Sequence, residues 1–208
     1  MDLTYLGAGA VKLSSKNLTV VCDPYTKESG LPTINVRAEV VTKSGPEGFG
    51  EVSGATISFD QPGEYEAKGV SIKGVPAQLH TDETGERGTV FAFDMDGTNV
   101  IVVGNIAGKL DDRKLERLGQ ADVLVVPVGG FGLTLDAAGA AELVTQFEPS
   151  YVVPVHYDDG KTVYPMPQAG VDEFLKEMGA TGVEPIAKLK INSKEMPPET
   201  QIVVLQRA

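Results

Sequence analysis

Apolar positions in the first hundred residues come in short runs bounded by turn formers, a spacing that suits strands better than helices. Residues 18–22, 39–42, 70–75, 90–93 and 100–103 are such runs, close enough together to predict a meandering antiparallel sheet or one layer of a sandwich. Asp96 and Gly97 stand between the last two, where a two-residue hairpin turn needs positive φ, so these strands are predicted to pair directly.

After Gly104 the pattern changes to helix alternating with strand, with no low-complexity linker at the change. Asp111 is placed to cap a helix that Gly119 ends, with Leu110 and Leu115 at hydrophobic-staple spacing. Residues 121–128 are almost unbroken apolar chain, which predicts a strand covered on both faces. Thr134 is expected to open the next helix with Asp136 in its first turn, and Leu135, Ala138, Val144 and Phe147 to share its inward face before Pro149 closes it. Residues 151–155 predict a further buried strand. Val171, Phe174, Leu175 and Met178 repeat at i, i+3, i+4, i+7 and mark a third amphipathic helix, and residues 202–205 a last strand. Strands first and strands with helices afterwards imply two sheets face to face with helices outside, an α+β arrangement. No internal repeat is evident.

The 208 residues carry 18 basic and 29 acidic side chains, a net charge of -11 with histidines neutral. With no basic block, this balance works against the phosphate neutralisation that supplies most duplex affinity, so no nucleic-acid partner is expected. Apolar residues at 41% are ordinary for a folded domain, and residues 1–208 are expected to form one domain. A single cysteine, Cys22, excludes an intramolecular disulfide. The chain shows neither a basic segment followed by an apolar stretch at its start nor an apolar run of about 18 residues. A cytoplasmic, unanchored protein with no membrane partner is therefore expected.

Two histidines are available for chemistry. His80 and His156 each follow an apolar strand-like segment, with Asp82 and Asp158 two residues on. Strand ends are where sheet proteins present reactive groups, although an isolated histidine is as readily a hydrogen-bonded structural residue. Asp23-Pro24, Gly104-Asn105 and Gly129-Gly130 are also strand exits, and their turn chemistry alone would account for them. Cys22 beside Asp23 has the composition of a nucleophile, but a cysteine closing a Val-Val strand reads as a small buried hydrophobe. The glycine-rich tracts match no nucleotide-binding pattern.

The order of several motifs resembles the compact bacterial branch of the metallo-β-lactamase-fold hydrolases. They are Leu3-Thr4-Tyr5-Leu6-Gly7, Cys22-Asp23-Pro24, Pro62-Gly63-Glu64-Tyr65-Glu66, a strand ending in His80, Val103-Gly104-Asn105, residues 122–130, and Val153-Pro154-Val155-His156-Tyr157. The resemblance covers residues 3 to 157 and implies a four-layer αββα sandwich. It also implies a His-x-His-x-Asp-His metal cluster, whose positions fall here on Gly45, Glu47, Phe49 and Gly50. The family's metal-bridging aspartate falls on Asn105, and the remaining ligands on His80 and His156; Ala8 stands where this branch often has a histidine.

A catalytic zinc takes three protein ligands and an open position for water. Two imidazoles and a neutral amide do not supply a two-metal centre, because no bridging anion offsets the repulsion between the ions. The reading that follows is a non-catalytic pseudoenzyme without cofactor, whose vestigial pocket of Asp23, Gly45, Glu47, Phe49, Gly50, His80, Asn105 and His156 binds a small molecule or protein. The glycine-rich loop around Phe49 is expected to collapse onto that pocket. The alternative is a divergent hydrolase with one weakly held zinc at His80 and His156, helped by Glu47, Asp82 or Asp158. A third reading is a structural or oligomer-interface protein with a filled cleft. Restoring the five substituted ligands together is expected to restore metal uptake.

Overall fold

The computed structural model describes residues 1–46, 48–82 and 84–208. Its first sheet is built from β1 (Asp2–Gly7), β2 (Ala10–Ser14), β3 (Thr19–Cys22), β4 (Val40–Thr42) and β5 (Ile57–Phe59). The second begins with β6 (Gly63–Ala67), β7 (Val70–Ala77), β8 (Gly88–Met95) and β9 (Thr98–Val102). Helix α1 (Asp112–Leu118), β10 (Val123–Pro127), α2 (Ala137–Phe147), β11 (Tyr151–Val155), α3 (Val171–Glu177), β12 (Leu189–Lys190) and β13 (Gln201–Ile202) complete the order. The sheets run β12-β1-β2-β3-β4-β5 and β13-β11-β10-β9-β8-β7-β6.

The two facing sheets follow from apolar alternation. Val70 and Ile72 of β7 are buried while Ser71 and Lys73 are exposed, so one face of that strand turns inward. Leu3, Tyr5, Leu13 and Val20 of the first sheet share one core cluster with Ile72, Phe91, Phe93 and Val100 of the second. At one end of the sandwich, Phe59 of β5 stacks on Tyr65 of β6, with ring centroids 4.1 Å apart. β10 is buried throughout and lies parallel to both β9 and β11, which is why its sequence is apolar without alternation. Asp96 and Gly97 both adopt positive φ between β8 and β9, the turn their residue types require.

Three features depart from the sequence reading. The first sheet is not an antiparallel meander throughout: β3, β4 and β5 pair in parallel. Helix contacts fall on the second sheet, α1 against β7 and α2 against β10, with α3 on α2. Over the first sheet the outer layer is irregular chain, where Ile34, Ala38 and Val52 pack on Leu6, Val21 and Val41. Pro24, Gly30, Pro32, Pro46, Gly48, Gly50 and Gly54 punctuate that segment, and their spacing leaves room for no more than the single 3-10 turn at Lys27–Ser29. Finally, Asp136 caps α2, accepting from the Gly139 amide at 2.8 Å. Thr134 lies before the helix, its hydroxyl enclosed and unpartnered. Among the described residues no helix is long and apolar enough to cross a membrane.

Candidate active site

Strand direction gathers the site. In the first sheet β1, β3 and β4 run the same way, and in the second β7, β9, β10 and β11 do. All seven therefore end toward common edges of the two sheets, and those edges meet. The His156 amide after β11 donates to the Ala8 carbonyl after β1 at 2.7 Å. Gly104 after β9 lies so close to Ser44 after β4 that a Cβ there would sit 2.2 Å from the Ser44 Cβ. Ala8, Asp23 and His156 hold φ of 51°, 47° and 53°, a left-handed conformation costly for residues with a Cβ and concentrated at functional sites.

These exits enclose a cavity of about 810 Å³. Gly45, Phe49, His80, Asn105 and His156 line it, together with Ser44, Arg87 and Tyr164. The loop around Phe49 has not collapsed onto it. The His156 ring is almost fully enclosed and packs against Tyr164, with ring centroids 4.8 Å apart. Burial pushes this imidazole down to about 4, the histidine backbone and Gln168 opposing the shift. His80 is less enclosed and is also lowered by burial, with the Ile106 backbone and Asp136 opposing. Over one side of the cavity, the Val163 amide donates to the Ser29 carbonyl at 2.8 Å and stitches two loops together. The hydroxyl of Tyr164 donates to the Tyr157 carbonyl at 3.1 Å.

Other proposed site residues lie elsewhere. Asp23 is not on the cavity wall but behind it, where its Oδ1 accepts from the Ser44 amide at 2.6 Å. Burial pushes its carboxyl up to about 6, and the Ser44 hydrogen bonds only partly offset that. Gly50 is turned away: its amide donates to the Pro24 carbonyl at 2.6 Å, and a Cβ would sit 2.2 Å from the Tyr25 carbonyl oxygen. Asp82 is no ligand candidate, because its fully buried carboxylate accepts from the Leu79 amide (2.9 Å), the Arg87 amide (3.1 Å) and Arg87 Nε (2.5 Å). Asp158 lines an adjoining cleft of about 340 Å³, which shares Thr162, Tyr164 and Pro165 with the large cavity, and accepts from the Gly160 amide. Glu47 lies outside the described residues. Cys22 is buried and its thiol is pushed up by burial, which removes it as a nucleophile.

Among the described residues no three His, Cys, Asp or Glu side chains group to hold an ion. His80 Nε2 and His156 Nδ1 are enclosed and make no hydrogen bond of good geometry, on two residues of the same cavity wall; the Gln168 side chain lies against the His156 imidazole, and its Oε1 is enclosed and unpartnered as well. A buried polar nitrogen left unpaired costs about 1–3 kcal/mol, and an unmatched pair at one cavity is the kind of exception that a bound ion explains. Asn105 lines the same cavity. Two imidazoles and an amide are donor types that suit a single ion.

Three cavity residues carry little sequence signal: Ser44 follows the apolar run of β4, while Tyr164 and Arg87 reach the cavity from loops without a motif.

The profile of a family described as the beta-lactamase superfamily domain matches residues 2–156. A UPF0173 metal-dependent hydrolase of Archaeoglobus fulgidus is 25% identical over 62% of this chain and 57% of its own length. One from Carboxydothermus hydrogenoformans is 24% identical over 88% of this chain and 94% of its own. Among solved structures, a candidate Zn-dependent hydrolase of the metallo-β-lactamase superfamily from Thermotoga maritima superposes with a TM-score of 0.80. It is 30% identical, covering 98% of this chain and 97% of its own.

Proposed function

Since this chain belongs to the beta-lactamase superfamily and has the metallo-β-lactamase fold, we propose that it is a divergent hydrolase working with at most one metal ion, gathered by His80 and His156. The observation that carries this is the pair of enclosed imidazole nitrogens on one cavity wall, neither in a hydrogen bond of good geometry. The names of its relatives, metal-dependent hydrolases, point the same way. This reading replaces the metal-free pseudoenzyme expected from the lost ligand positions.

A zinc ion bound there would supply a polarised water with a pKa near 7. The chain's own residues do the rest. His156, neutral through burial, keeps a lone pair available, and its backbone tie to Ala8 and its contact with Tyr164 fix the ring. Asn105 offers an oxygen without charge, which limits the site to one ion. Phe49 and Tyr164 place aromatic surface on the cavity wall. The partner is a small molecule; the acidic chain gives no footing to nucleic acid.

Chelator-treated protein reloaded with zinc and assayed on p-nitrophenyl acetate and bis(p-nitrophenyl) phosphate tests the reading. Zinc-dependent hydrolysis lost in His80→Ala and His156→Asn is expected, the asparagine being chosen because it tolerates the left-handed backbone. Hydrolysis indifferent to zinc and to both substitutions contradicts it. The second reading, a cavity that binds without catalysis, is favoured by the absence of a third grouped ligand among the described residues. It predicts ligand binding with no turnover. An open cavity of about 810 Å³ weighs against a purely structural protein.

A further inference from the structure

Arg87 is the only lysine or arginine lining the large cavity among the described residues. It is also not a free-swinging surface arginine. Its Nε is held at 2.5 Å by Asp82, whose side chain is 0% exposed and is fixed by the amides of Leu79 and Arg87. One edge of the guanidinium is thereby consumed, and the side chain is still 57% exposed. The two terminal nitrogens form an end-on fork, the geometry that receives the two oxygens of a carboxylate. Leu79 and Phe49 present apolar surface on the same wall, while Asn105 and the imidazoles give it a polar end.

Charge decides between classes of anion. The Arg87 charge is already offset by the buried Asp82 carboxylate, and Glu28 lines the same cavity, so each further negative charge on a ligand meets repulsion. A single carboxylate fills the guanidinium fork with the least added charge. The apolar wall selects a ligand with a hydrophobic body rather than an inorganic ion.

We infer that the cavity takes a small organic monocarboxylate, its carboxylate on the terminal nitrogens of Arg87 and its apolar body against Leu79 and Phe49. This names the substrate class of the site read above as hydrolytic and rests on that reading. Asp82 is a positioning residue here, acting through Arg87.

Calorimetric titration of the full chain with phenylacetate and with phenylacetamide, its uncharged counterpart of similar shape, tests the inference. Phenylacetate is expected to bind at least about tenfold more tightly, the effect of one charge-assisted pair. In Arg87→Gln the ratio should fall to near one, and in Arg87→Lys it should be retained in part. Should Arg87→Gln fail to fold because Asp82 is left unpaired, Asp82→Asn combined with Arg87→Gln removes both charges and carries the same comparison. Phenyl phosphate should bind more weakly than phenylacetate. Equal binding of acid and amide, a ratio unchanged in the arginine variants, stronger binding of phenyl phosphate, or no phenylacetate binding at about 10 mM would each overturn the inference. A ratio that depends on Arg87 in a protein without zinc-dependent hydrolysis would leave the carboxylate pocket standing and remove the hydrolytic reading alone.

Discussion

Replacing Asp23 by asparagine should stabilise the protein at neutral pH, because the carboxylate behind the cavity is buried at a cost. Burial pushes its carboxyl from 3.8 up to about 6, so between these values the folded chain keeps a proton that the unfolded chain has lost. Stability contributed by this group therefore falls as pH rises through about 4 to 6, by about 3 kcal/mol at 1.36 kcal/mol per pKa unit. His156 works in the opposite direction. Its imidazole is pushed from 6.5 down to about 4, so in that window the unfolded chain binds a proton that the folded chain refuses. Stability from this group falls as pH falls, again by about 3 kcal/mol. The two nearly cancel in the wild type over the same range. Asp23→Asn preserves an oxygen for the Ser44 amide and removes only the acid term. In chelator-treated protein, the variant should be more stable than wild type by about 3 kcal/mol at pH 7.5, and the difference should vanish near pH 4. Because the chain has no tryptophan, urea unfolding followed by far-ultraviolet circular dichroism is the suitable assay, and other carboxylates cancel in the difference. A variant less stable than wild type at pH 7.5, or a difference indifferent to pH, would refute the reasoning.

Gly104→Ala should cost about 2–4 kcal/mol, combining left-handed strain with overpacking against Ser44, since φ is 67° and the added Cβ meets the Ser44 Cβ at 2.2 Å; a loss under about 1 kcal/mol in urea unfolding would contradict the close approach of the two sheets. Cys22, buried and with its thiol pushed up, should react with a thiol reagent only at the rate of unfolding, so labelling as fast as a free thiol in native buffer would show the strand end to be open. Joint substitution Gly45→His, Glu47→His, Phe49→Asp, Gly50→His and Asn105→Asp should not build a two-metal centre, because a Cβ at position 50 meets the Tyr25 carbonyl oxygen at 2.2 Å; two zinc ions per chain in that variant by elemental analysis would contradict the observed loop path.

Local features were the legible part of this sequence. The hairpin at Asp96 and Gly97, the Asp111 cap of α1 and the bounds of β11 are set by neighbouring residues, and the structure has them where residue chemistry places them. Partner direction was not legible: the apolar runs of β3, β4 and β5 announce strands, but period two is the same for parallel and antiparallel pairing. Both Thr134 and Asp136 are capping types, and only packing shows that Asp136 takes the position. At the site, the two histidines and Asn105 were legible as strand exits that share a wall. The sorting of acids was not. Asp23, Asp82 and Asp158 look alike in sequence, yet one lies behind the cavity, one is locked by Arg87 and one lines another cleft. Burial and partners, which are long-range properties, decide that.

The most direct measurement of the central claim is zinc stoichiometry. Chelator-treated protein dialysed against buffered zinc and analysed for metal should hold at most one ion per chain, and His80→Ala and His156→Asn should each lose it. Two ions per chain, or one ion retained in both variants, would contradict the account.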